Sequence, residues 1–98
     1  MEKNTPHCKL SVIKSMIKTR KVRTTLSALA GGEALGFSFD EMLGVIMTLT
    51  MKDFYKSMTT HTDHKVWQDV YRPVTIAGEI YLKLTVIDDL LIVSFKEL

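Results

Sequence analysis

Residues 56–72 read KSMTTHTDHKVWQDVYR and gather Lys56, His61, His64, Trp67, Gln68, Tyr71 and Arg72 with hardly any aliphatic filler. Lysine and arginine stabilise negative charge, tyrosine can hand over a proton, and glutamine orients a hydroxyl or a base. Such a set suits RNA cleavage, in which the substrate's own 2′-hydroxyl is the nucleophile and neither a metal nor a covalent enzyme residue is required. His61-x-x-His64 with Asp63 supplies two imidazoles and a carboxylate, but no further His or Cys stands at a zinc spacing. Polar residues of an exposed strand end or loop account for these histidines better than a metal site does. Cys8, the single cysteine, has no defined base, and no nucleophile-elbow or phosphate-loop pattern occurs. Neither a protease nor a nucleoside triphosphatase is expected, and no metal or cofactor.

The 98 residues, 46% hydrophobic and 24% charged, suffice for one domain over 1–98 and not for two. Charge or glycine interrupts each apolar stretch before the roughly 18 residues that a membrane span needs. With one cysteine and no secretory pattern at the start, a cytoplasmic protein is expected. The net charge of +2 conceals a split. Residues 1–25 hold seven bases against Glu2 alone, and the remainder six bases against ten acids. The basic segment is either a patch for a polyanion or a solvated helix face.

The elements that must position these groups follow from period and caps. Thr5-Pro6 resembles an N-cap followed by proline at the first helical position, and Leu10, Ile13 and Ile17 repeat at helical spacing, which predicts a helix from about Pro6 to Thr19. Its other face presents Lys14, Lys18 and Lys21. Thr24 or Thr25 caps a second helix to Leu35, weakened by Gly31-Gly32 and closed by Gly36. The capping box Ser38 to Glu41 opens a third, with Met42, Val45, Ile46 and Leu49 inward. After Tyr55 the period falls to two. Helices first and strands later predict an α+β domain, its helices on one face of an antiparallel sheet.

A two-residue turn at Asp88-Asp89 would pair residues summing to 177, which sets Tyr81 opposite Lys96. One face then carries Ile80, Leu82, Leu84 and Val86 against Leu91, Val93 and Phe95. The other carries Tyr81, Lys83, Thr85 and Ile87 against Leu90, Ile92, Ser94 and Lys96. For the strand through Trp67–Arg72 two registers remain open. A connection centred between Val74 and Thr75 sets Gln68 opposite Tyr81 and turns Asp69 inward with Trp67 and Tyr71, where it needs a partner. A shift of one residue turns Gln68 inward instead.

The blocks "DFYKSMTT", "DHKVWQDVYRP" and "LIVSFKE", with the opening "MEK-TPH" and "VRTT-SAL", closely resemble the motility quorum-sensing regulator toxin family of type II toxin–antitoxin pairs, over the whole chain. The resemblance implies a fold similar to the RelE and YoeB ribonucleases, with helices on one face of a curved antiparallel sheet. It implies a metal-independent, ribosome-independent mRNA interferase cutting at GC-containing sites such as GCU. Its active-site positions fall on Lys56, Gln68, Tyr81 and Lys96, which favours the first register. Arg72, Trp67, Tyr71, His61 and His64 are the accompanying candidates for RNA contact, with the two aromatic residues either packing or stacking a base. His61 stands where members of the family carry an aromatic. A cognate antitoxin similar to MqsA, zinc-binding and DNA-binding, is implied as partner. The competing reading is a non-catalytic nucleic-acid-binding module with the first two helices as a degenerate helix-turn-helix, although residues 25–35 lack a base-reading Arg or Asn.

Overall fold

In the computed structural model, which describes residues 1–98, the chain runs β1 (Glu2–Lys3), α1 (Leu10–Lys18), β2 (Val22–Thr24), α2 (Leu26–Ala34) and α3 (Phe39–Met47). A 3₁₀ turn (Met51–Asp53) leads into β3 (Phe54–Thr59), β4 (Trp67–Tyr71), β5 (Val74–Thr75), β6 (Gly78–Ile87) and β7 (Asp89–Glu97). The sheet has the order β1-β3-β4-β6-β7-β2, with β5 beside β6. Every pairing is antiparallel except β2 with β7. The α+β class is as expected, while the parallel edge strand makes the sheet mixed. No helix is long and apolar enough to cross a membrane.

Helix α1 begins four residues later than proline placement suggested, because the preceding amides are engaged elsewhere. His7 and Cys8 donate their backbone N–H groups to the two carboxylate oxygens of Asp69, at 2.9 and 3.0 Å. Ser57 Oγ donates to the same carboxylate at 2.6 Å. Asp69 is thus the inward carboxylate of the favoured parity, 3% exposed, and these are its partners. Burial, and next the charge on Asp69, push the Cys8 thiol up. Between α1 and α2 lies β2, paired to β7 at Val22↔Leu90, so the two helices form no helix-turn-helix.

Of the caps read from sequence, the second and third are in place: Thr25 accepts from the Ala28 amide, and Ser38 and Glu41 form a reciprocal box. The first is not, since Lys9 rather than Thr5 stands at the N-cap of α1, without a side-chain hydrogen bond. Thr50 with Asp53 frames the 3₁₀ turn. The two glycines of α2 do not loosen it. A Cβ on Gly31 would lie 2.0 Å from the Phe95 carbonyl oxygen, and one on Gly32 2.4 Å from the Met42 sulfur. They let the helix backbone lie directly on β7 and α3. The core forms between the helices, with Ile13, Met42 and Ile46 at its centre, and Leu82, Leu84 and Ile92 of the sheet.

Two registers differ from expectation. At the site end of the β6–β7 hairpin, Tyr81↔Lys96 and Lys83↔Ser94 pair as predicted. A bulge between Lys83 and Leu84 then shifts the rest by one, to Leu84↔Ile92 and Val86↔Leu90. Leu90 and Ile92, expected on the outer face, are therefore core residues, and Leu91 and Val93 are not. In β4–β6 the parity is that of the favoured register, but the turn is centred on Ile76-Ala77, with Thr75↔Gly78 and Val70↔Lys83. Gly78, at φ 95°, supplies the left-handed residue that closes this turn.

Replacing the two exposed or packed helical glycines has opposite expected signs. Gly44→Ala, with nothing within 4 Å of its Cβ, should raise stability by about 0.5–1 kcal/mol through helix propensity. Gly31→Ala gains the same propensity but must push β7 away, and should lose about 1–3 kcal/mol in urea unfolding. Asp69→Ala, which strands the buried Ser57 hydroxyl and the part-buried amides of His7 and Cys8, should lose about 3 kcal/mol. A neutral result for it would remove the carboxylate from its structural role.

Candidate active site on the open sheet face

The face of the sheet opposite the helices is built by alternation along four strands. One rung crosses Lys56, Val70, Lys83 and Ser94. The next, towards the chain's C-terminus, sets Lys96 against Tyr81, and the β4–β6 register extended by one step brings Arg72 to the same rung. An irregularity in β3 between Phe54 and Lys56 throws Tyr55 outward, where its ring is half exposed. The Arg72 guanidinium lies 4.8 Å from the Tyr55 centroid, and Lys56 Nζ 5.3 Å. Around Tyr81 stand Lys96 Nζ at 5.3 Å and Lys83 Nζ at 5.7 Å. Four cations and two phenols thus share a face whose only paired carboxylates are Glu2, with Lys56, and Glu79, with Arg72.

Of the residues singled out in the sequence, Lys56, Tyr81, Lys96 and Arg72 come together here. Gln68 shares the face but lies beside Met58, one rung beyond Lys56 and two beyond Tyr81, roughly 13 Å along the strand. It is therefore not opposite Tyr81. Tyr71 has no exposed surface, packs edge-on against Phe54, and has its hydroxyl pushed up by burial, with Asp69 and Cys8 adding to this. It is a core residue and offers no ring to a base. Trp67 faces the same inner side, stacked on His7 at 5.6 Å with Lys3 Nζ 4.2 Å from its centroid. Its packing role is to hold the N-terminal segment. His61 and His64 are exposed in the loop that joins β3 to β4, which Thr60 and Asp63 shape by their own hydrogen bonds. No three His, Cys, Asp or Glu side chains converge in a way that could hold a metal.

Two comparisons with known proteins bear on this chain. A family model described as motility quorum-sensing regulator, toxin of MqsA, matches residues 5–97. The chain belongs to this toxin family. It is 58% identical over 97 residues, covering 99% of each chain, to the mRNA interferase toxin MqsR of Escherichia coli strain K12. Within this MqsR-family fold, sequence reasoning overlooked Lys83 and Tyr55. The hairpin alternation had already put Lys83 on the face of Tyr81, whereas the irregularity that exposes Tyr55 has no signature in residue type. Glu2 was also overlooked, since a two-residue strand leaves no period to read.

Glu2 is the partner of Lys56. The Lys56 ammonium donates to Glu2 Oε2 at 2.7 Å, with its side chain a quarter exposed. The hydrogen bond, ahead of the charge attraction, holds the Glu2 carboxyl below its usual 4.5. The same bond pushes Lys56 above its usual 10.5, outweighing the opposing effect of burial. The contribution of Glu2 to stability is present above its ordinary value and lost as pH falls through the lowered one. That of Lys56 is present below 10.5 and lost as pH rises through the raised value. This direction favours Lys56 as a cation over Lys56 as a base. Lys56→Arg should leave both limbs of a pH–activity profile in place, and a limb that moves with this substitution would return Lys56 to the list of proton acceptors.

Proposed function

We propose that the protein is the toxin of a type II toxin–antitoxin pair that cuts mRNA at GC-containing sites, GCU-like, without a metal and without the ribosome. The observation that carries this reading is the pairing of Tyr81 with Lys96 beside Lys56 and Arg72 on an uncovered sheet face. Family membership and the activity in the name of the Escherichia coli relative support it.

The reaction needs three services. The substrate's 2′-oxygen loses its proton and bonds to phosphorus, the phosphorus centre gains negative charge, and the P–O5′ bond breaks as the 5′-oxygen receives a proton. Lys56 and Lys96 are cations positioned for the second. Tyr81, between cations, serves as proton donor to the leaving oxygen or as phosphate ligand. Gln68, one rung beyond Lys56 and two beyond Tyr81, orients a ribose or a base of a flanking nucleotide. Arg72 holds the backbone and presents Tyr55, whose exposed ring takes over the stacking role that Trp67 and Tyr71, engaged in packing, do not offer. His61 and His64 stand where the same strand of RNA would leave the face.

The partner is a cognate antitoxin of the MqsA kind, zinc-binding and DNA-binding, and contact with DNA runs through it. The edges of the sheet available to such a partner are β1 and β2, two and three residues long. Localisation in the cytoplasm, where the mRNA is, follows from the same reading.

Purified protein incubated with a synthetic RNA containing GCU in excess chelator should give fragments ending in 2′,3′-cyclic phosphate and 5′-hydroxyl. Tyr81→Phe and Lys96→Ala should each slow cleavage by about 10²-fold or more. Intact RNA together with salt-sensitive binding would favour a non-catalytic binding module and overturn the proposal.

A further inference from the structure

Resting on the RNA-cleaving reading above, we infer that Lys83 is a further catalytic residue, which with Lys96 holds the phosphate at which the strand is cut. Lys83 lies mid-sheet on β6, with Val70 on one side and Ser94 on the other. Val70 has no exposed surface although no helix covers this face and it is not part of the core cluster. The Lys83 ammonium reaches to 5.7 Å from the centroid of Tyr81, the ring that Lys96 approaches to 5.3 Å.

The three lysines of the face differ in what compensates them. Lys56 is bound to Glu2, and the other ion pairs of the protein are Arg72 with Glu79 and Arg20 with Asp40. Lys83 and Lys96 have no carboxylate and donate no side-chain hydrogen bond to the protein. Two uncompensated ammonium groups flanking one phenol make an anion site. Lysine is depleted from strands, and this one makes no ion pair that ties another element down. In the reaction, Lys83 and Lys96 neutralise the charge that gathers on the non-bridging oxygens while the 2′-oxygen bonds to phosphorus and the 5′-oxygen leaves with a proton.

The test is single-turnover cleavage of a GCU-containing RNA by Lys83→Met and Lys83→Gln, with Lys96→Ala and the distant Lys18→Ala as references and a urea midpoint for each. The expected result is a rate about 10²-fold lower for both Lys83 variants, unchanged midpoints, partial recovery in Lys83→Arg, and no effect of Lys18→Ala. Binding of the 2′-O-methyl form of the same RNA should lose about 0.7 from its slope against log salt, one phosphate contact. Wild-type cleavage by Lys83→Met while Lys96→Ala is slow would overturn the role of Lys83 and leave the nuclease reading standing. A loss confined to KM would move Lys83 off the reacting phosphate. Failure of the unaltered protein to cut would instead remove the underlying reading.

Discussion

A carboxylate on the core side of a sheet must be fully bonded or it unfolds the protein, and Asp69 meets this requirement by capturing residues about sixty positions away in sequence. Its two oxygens bind the amides of His7 and Cys8 and the hydroxyl of Ser57. This fixes the segment before α1 against β4. Trp67 extends the same grip through His7 and Lys3. Because the segment is fixed, β1 can pair with β3 at Glu2↔Met58 and Lys3↔Ser57, and Glu2 reaches Lys56. A buried acid on the inner face thus helps place one carboxylate, that of Glu2, beside a lysine of the outer one.

The second constraint is the close approach of α2 to β7. Gly31 rests against the Phe95 carbonyl, immediately before Lys96 in the chain. Edge-on packing of Phe37 on Phe95 adds to this anchoring. Helix packing on one side therefore holds the strand whose next residue stands beside Tyr81 on the other. The site has no rigid cover of its own, and its precision derives from strands pinned from behind.

Several elements were legible because their signals are local. The caps at Thr25 and Ser38 depend on residues three positions apart, and the partnership of Tyr81 with Lys96 followed from alternation and a short turn. What escaped was set at long range. The start of α1 was displaced by Asp69, and strands of two or three residues carry no period. The bulge between Lys83 and Leu84 leaves no mark in composition, yet it moved Leu90 and Ile92 to the core. Gln68 was placed on the correct face but at the wrong height, because the turn was centred two residues too early. Gly78, with its positive φ, was the available clue. Within the site, type alone could not separate Trp67 and Tyr71 from Tyr55, since all are aromatic residues in strands and only the irregularity in β3 determines which ring meets solvent.

The bulge in the last hairpin divides it into two halves with independent alignment. Between the exposed tip at Asp88, where φ is 65°, and the Tyr81–Lys96 rung, the one-residue offset has already been absorbed. The tip is thus mechanically insulated from the chemistry, and a fluorophore or a grafted epitope could be carried there as a reporter handle without dragging the reactive groups out of line.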